Sequence, residues 1–105
     1  MNDGLTPKTV GKICGVFEHF SEIEKAVLYG SRAKGNFKKG SDIDLTLYGE
    51  KLSLHLLYDV AEALDDLLLP YTIDLSIFDK LNHKELHEHI ERVGIVFYEK
   101  SKFPL

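Results

Sequence analysis

No stretch of this chain approaches the roughly 18 consecutive apolar residues that a membrane span requires. The opening segment, MNDGLTPKTV, lacks the basic region and apolar core of a secretory signal. The expected location is therefore the cytoplasm. A single cysteine, Cys14, excludes an internal disulfide and agrees with a reducing compartment. Its place on the apolar side of an expected helix marks it as a small core residue. Repeats, linkers and low-complexity tracts are also missing, and 105 residues suffice for one modest core, so one domain over 1–105 is expected. Positive charge is scarce: 13 Lys and Arg stand against 17 Asp and Glu, for a net charge of −4. That balance argues against a protein living on non-specific nucleic-acid binding.

What is present alternates. Thr6 and Pro7 suit a helix start, and Val10, Ile13, Cys14, Phe17 and Phe20 then recur at helical spacing, which predicts a helix over 6–20. The run KAVLYG (25–30) reads as a buried strand. DIDLTLYG (42–49) alternates, with Ile43, Leu45 and Leu47 on one face and Asp42, Asp44, Thr46 and Tyr48 on the other. A second helix is expected over 53–68 with Ser53 as cap, followed by Pro70. A strand over 71–78 comes next, then a helix over 82–93 capped by Asn82 and stopped by Gly94. A last strand covers 95–100. The fold class is layered α+β, a small sheet with helices packed on it.

The glycine-rich segment between the first two strands concentrates charge. In YGSRAKGNFKKGSDIDL (29–45) four cations precede an Asp-x-Asp pair. Gly30 allows close backbone approach to a phosphate, Ser31 adds a hydroxyl at a possible helix start, and Arg32, Lys34, Lys38 and Lys39 can offset a triphosphate. SRAK (31–34) has helical potential; GNFKKG (35–40) must be loop. Asp42 and Asp44, two apart on an expected strand, project to one face, and Asp74 occupies the polar face of another. If those strands are neighbours, three carboxylates converge and call for hard cations. Mg²⁺ fits, because it takes carboxylate oxygens and completes its shell with substrate phosphates. Paired ions can activate a hydroxyl and stabilise a leaving oxygen. Each feature alone is most simply a turn or a solvated strand face. Their conjunction arises by chance in about one chain per thousand of this length, which favours a site.

The Gly-Ser-x10-Asp-x-Asp pattern of GSRAKGNFKKGSDIDL, with Asp74 downstream, resembles the DNA polymerase beta-like nucleotidyltransferase superfamily, and within it the minimal nucleotidyltransferases. The resemblance spans Lys25 through Asp74. It implies that superfamily's small mixed sheet with packed helices. It implies phosphate binding by Gly30 and Ser31, two Mg²⁺ ions on Asp42 and Asp44, and Asp74 completing the site as general base, with ATP as substrate. Minimal members are implied to pair with a small helical HEPN protein, in several cases an RNase toxin that the nucleotidyltransferase neutralises by moving AMP onto a tyrosine. Two alternatives stay open: a nucleotide-binding module that masks a partner stoichiometrically, and transfer to RNA or a small molecule. Homo- or hetero-oligomers both remain compatible.

Other features carry less. HKELH (83–87) spaces two histidines like a zinc-protease helix, but Lys84 stands where such chemistry needs a glutamate; with His89 these read as a solvated face. Tyr29, Tyr48 and Tyr58 read as packing residues. Leu54 and Leu69 are apolar surplus, available to an interface.

Overall fold

The computed structural model describes residues 3–38 and 40–101. Four helices and four strands follow in the order α1 (Pro7–Glu18), β1 (Lys25–Tyr29), α2 (Ser31–Lys34), β2 (Ile43–Tyr48), α3 (Leu54–Asp65), β3 (Ile73–Ile77), α4 (Lys84–Val93) and β4 (Ile95–Glu99). A short 3₁₀ turn, Phe78–Lys80, joins β3 to α4. The strands form one mixed sheet in the order β3-β2-β1-β4. β1 runs antiparallel to both neighbours, while β2 and β3 are parallel and linked through α3, the helical crossover that a parallel pair needs. The fold is α+β, as expected.

Local chemistry explains the boundaries. The Thr6 hydroxyl accepts from the Thr9 N–H and Pro7 opens α1, so both start signals operate. Ser53 caps α3 in the same way through Leu56. The expected cap of α4 shifts by one residue: His83, not Asn82, accepts the Leu86 N–H on Nδ1 at 3.0 Å. Helix α3 also stops earlier than the apolar stripe suggests, because Leu68 takes a left-handed φ of 54°.

The two faces of the sheet are unequal. Ala26 and Leu28 of β1 with Ile43, Leu45 and Leu47 of β2 are buried against Ile13, Val16 and Phe17 of α1 and Val60 and Leu64 of α3. This larger core fixes strand register, because a one-residue slip would turn every apolar side chain outward. On the opposite face Val27 and Tyr29 pack on Ile90 of α4, with Tyr48, Phe78, Leu81 and Leu86 around them. Cys14 is only partly buried, its thiol near the Phe97 carbonyl at 3.5 Å. Leu54 and Tyr58 are exposed on α3, whereas Leu69 packs against the core. Among the described residues no helix is long and apolar enough to cross a membrane.

Candidate active site

The connection from β1 to β2 sits at one end of the sheet and carries the glycine-rich segment. Gly30 leaves β1 with φ 76° and ψ −155°, a conformation that L side chains rarely adopt. A Cβ at this position would also collide with the Asp44 carboxylate. Gly30 is therefore required twice, for the turn and for the approach of an acid from the neighbouring strand. Ser31 follows at the start of the four-residue α2, which Gly35 closes in a left-handed cap.

The carboxylates come from the facing strands. Asp44 is the second residue of β2 and Asp74 the second of β3, and parallel register places them side by side. Tyr29 lies opposite Asp44 on the other flank, so Tyr29, Asp44 and Asp74 form one lateral row across three strands. Asp42 differs from expectation: β2 begins at Ile43, so Asp42 sits exposed just ahead of the strand. It still bears on the row. Burial, then Asp74 and then Asp42 push the Asp44 carboxyl above its ordinary pKa. Loss of water and like charge both disfavour ionisation there.

Behind the acids lies a polar layer that sequence reasoning did not single out as functional. Tyr29 is buried, and its ring stands nearly perpendicular to the His89 ring of α4, with centroids 6.3 Å apart. Burial raises the phenol pKa first; a hydrogen bond with Ser76 opposes this, and Asp74 and Asp44 add to the rise. Ser76 in turn donates to Thr46 at 2.9 Å, and Thr46 is fully buried. Strand alternation put Thr46 and Ser76 on this face, but only the pairing of β2 with β3 brings them together.

These donors suit a hard divalent cation. They are carboxylate oxygens gathered at one end of two strands, with burial and like charge disfavouring ionisation at Asp44, and Gly30 leaves room beside Asp44 that any side chain would fill. Among the described residues no three His, Cys, Asp or Glu side chains close into a ready-made metal cluster. Mg²⁺ does not need one, since it is commonly held by one or two carboxylates with waters and substrate phosphates.

The cations of the segment separate into two kinds. Lys34 and Lys38 are exposed along it. Arg32, expected to face a phosphate, is only 2% exposed and its guanidinium is occupied by the chain itself. Its Nε and Nη2 donate to the Ser41 carbonyl at 3.1 and 2.9 Å, and Nη1 donates to the Asp3 carbonyl at 2.8 Å. Lys39, expected beside the phosphates, lies outside the described residues. The histidines of α4 have structural partners: His83 caps the helix, and His87 bonds the Leu81 carbonyl and lies against Phe78. A cavity of about 440 Å³, lined by Glu22, Glu24, Glu50 and Lys100 among others, lies at the far end of the sheet from the carboxylate row.

With this geometry in view, the sequence model of the family described as polymerase beta, nucleotidyltransferase, matches residues 11–103. The probable protein adenylyltransferase MntA of Haemophilus influenzae is 36% identical over 75 residues, which make up 70% of this chain and 65% of that protein. The match thus spans just under two thirds of that relative's length. A chain of a toxin–antitoxin crystal structure with AMP-PNP superposes with a TM-score of 0.71 at 19% identity, covering 89% of this chain and 75% of the other. A complex of a tri-AMPylated Shewanella oneidensis HEPN toxin with its MNT antitoxin gives a TM-score of 0.65 at 17% identity, covering 89% and 71%. At these identities the structural likeness speaks to the fold.

Proposed function

The chain belongs to the polymerase beta nucleotidyltransferase family, and on that premise we propose that it moves AMP from ATP onto a hydroxyl of a partner protein, the hydroxyl oxygen bonding to the α-phosphorus as the bond to the β-phosphate breaks and pyrophosphate leaves. The observation that carries the reading is the in-register pair Asp44 and Asp74 beside a Gly30 that has no room for a side chain. The backbone at Gly30 and Ser31 receives the phosphates, and the exposed Lys34 and Lys38 offset their charge. Asp42, Asp44 and Asp74 are the residues that would hold Mg²⁺, which when bound neutralises phosphoryl oxygens and lowers the barrier to attack. Asp74, exposed at the edge of the row, accepts the proton of the incoming hydroxyl. Rate enhancement then rests on positioning and charge neutralisation, the general logic of transfer at phosphorus.

The partner we propose is a small helical HEPN protein, with a tyrosine as acceptor and toxin neutralisation as the outcome. The HEPN complex of the Shewanella oneidensis antitoxin and the adenylyltransferase description of the Haemophilus influenzae relative support this reading. Transfer of label from α-³²P-ATP to the purified partner tests it. The wild-type chain should label the partner in the presence of Mg²⁺, and Asp44→Asn should reduce labelling by at least about 100-fold, the scale on which a lost electrostatic element acts. If Asp44→Asn neutralises the partner as well as the wild type does, stoichiometric masking replaces catalysis. Labelling of RNA or a small molecule in place of protein would reassign the acceptor.

A further inference from the structure

Arg32 is a buried cation with no carboxylate in ion-pair range among the described residues. Burying a charge in this way is costly unless its donors are met. Here they are met by main-chain carbonyls, two bonds to Ser41 and one to Asp3, while the rings of Phe37 and Tyr71 each lie 4.9 Å from the guanidinium carbon. Three segments therefore meet on one side chain: the glycine-rich segment through Phe37 and Ser41, the N-terminal segment through Asp3, and the approach to β3 through Tyr71. Ser41 immediately precedes Asp42, and Tyr71 leads into the strand that carries Asp74. The N-terminal segment joins through Asp3 and Gly4. Gly4 has φ 74°, and a Cβ there would run into the Phe37 ring and the Arg32 guanidinium.

We infer that Arg32 is a positioning residue of the nucleotide site: it clasps Ser41 to the N-terminal segment and so sets the place of Asp42 before any ligand arrives. The inference rests on the nucleotidyltransferase reading for its purpose, but the clasp itself is a property of the folded chain. A planar fork is needed to hold one carbonyl with two N–H groups and a second carbonyl with another; a lysine ammonium keeps the charge and loses that geometry. The residues that hold Arg32 are main-chain atoms and aromatic faces, so the clasp constrains the backbone directly.

Two variants test it. Arg32→Lys removes the fork, and Gly4→Ala displaces the N-terminal half of the clasp without altering Arg32 or any proposed ligand of nucleotide or metal. Amide hydrogen exchange at Asn36, Lys38, Ser41 and Ile43, each of which donates a hydrogen bond in or beside this segment, is read in the free protein, together with the Kd for AMP-PNP in Mg²⁺. Both variants should exchange faster at these amides and bind nucleotide about ten-fold more weakly, the scale of one lost charged hydrogen bond. Ile23→Ala, a core truncation between two residues that line the cavity at the far end of the sheet, should lower Tm while leaving the relative exchange of these four amides and the Kd unchanged. Unchanged exchange in a folded Arg32→Lys or Gly4→Ala protein overturns the clasp, and faster exchange with an unchanged Kd overturns its link to the site. If the wild type binds no nucleotide, the functional reading fails by itself and exchange alone decides the clasp.

Discussion

Asp44 is a group that the fold places against its own interest. Burial, Asp74 and Asp42 all raise its pKa, so the native state holds the Asp44 proton more tightly than the unfolded chain does. A raised carboxylate pKa means that the unfolded state binds fewer protons between the two values, so stability falls as pH rises through that window. The penalty begins near the ordinary carboxylate pKa of about 4 and is complete above the raised value. Asp44→Asn keeps the shape and removes the charge. It should therefore melt a few degrees higher than wild type at pH 7, with the difference closing as pH drops toward 3, while transfer is lost. A lower Tm at pH 7 would show that Asp44 makes stabilising contacts that the amide cannot replace. The direction is the one expected where function is retained at the expense of stability. Arg32 shows the converse, a charge that looks functional in sequence but is spent on holding the chain.

At the scale of elements, helix α3 ends by a device that its composition conceals. Leucines at 67, 68 and 69 continue the apolar character of the helix, yet Leu68 turns left-handed at φ 54° and is 87% exposed. A side chain gains nothing there and suffers the left-handed penalty, so Leu68→Gly should stabilise the domain by about 0.5 kcal/mol once the greater freedom of glycine in the unfolded chain is deducted. A rise in urea midpoint at unchanged m-value measures this, and a fall would mean that Leu68 packs in the native state. Such conflicts mark where sequence reading stops. Periodicity located all three long helices and all four strands because a buried face leaves a regular signature, and the Gly30-Ser31 and Asp42-x-Asp44 spacing pointed to this end of the molecule. Pairing is different. That β2 lies between β1 and β3, that Tyr29, Asp44 and Asp74 share a row, and that Arg32 reaches Asp3 are long-range facts with no local pattern. His83 as the α4 cap was similarly hidden, since an Asn next to it is the stronger local candidate.

At the scale of the whole molecule, the sheet divides labour between its faces. One face is sealed by α1 and α3 and supplies most of the core. The other is covered by α4 toward β1 and leaves Asp74 exposed. Because β2 and β3 belong to the same cooperative sheet, a ligand gripping their carboxylates should stabilise the whole domain. At about 100 times its Kd a ligand adds about 2.7 kcal/mol, which for a domain of this size raises Tm by roughly 10–20 °C. Mg²⁺ with AMP-PNP should give a shift of that order, and Mg²⁺ alone a smaller one by relieving repulsion between Asp44 and its neighbours. Asp44→Asn should show the opposite pair of effects, a higher Tm without ligand and little further rise with it. Thermal melts of the two proteins, each with and without Mg²⁺ and nucleotide, separate the cases. Equal shifts in both would place the nucleotide away from the Asp44 row, and no shift in the wild type at millimolar ligand would leave this end of the sheet without the site proposed for it.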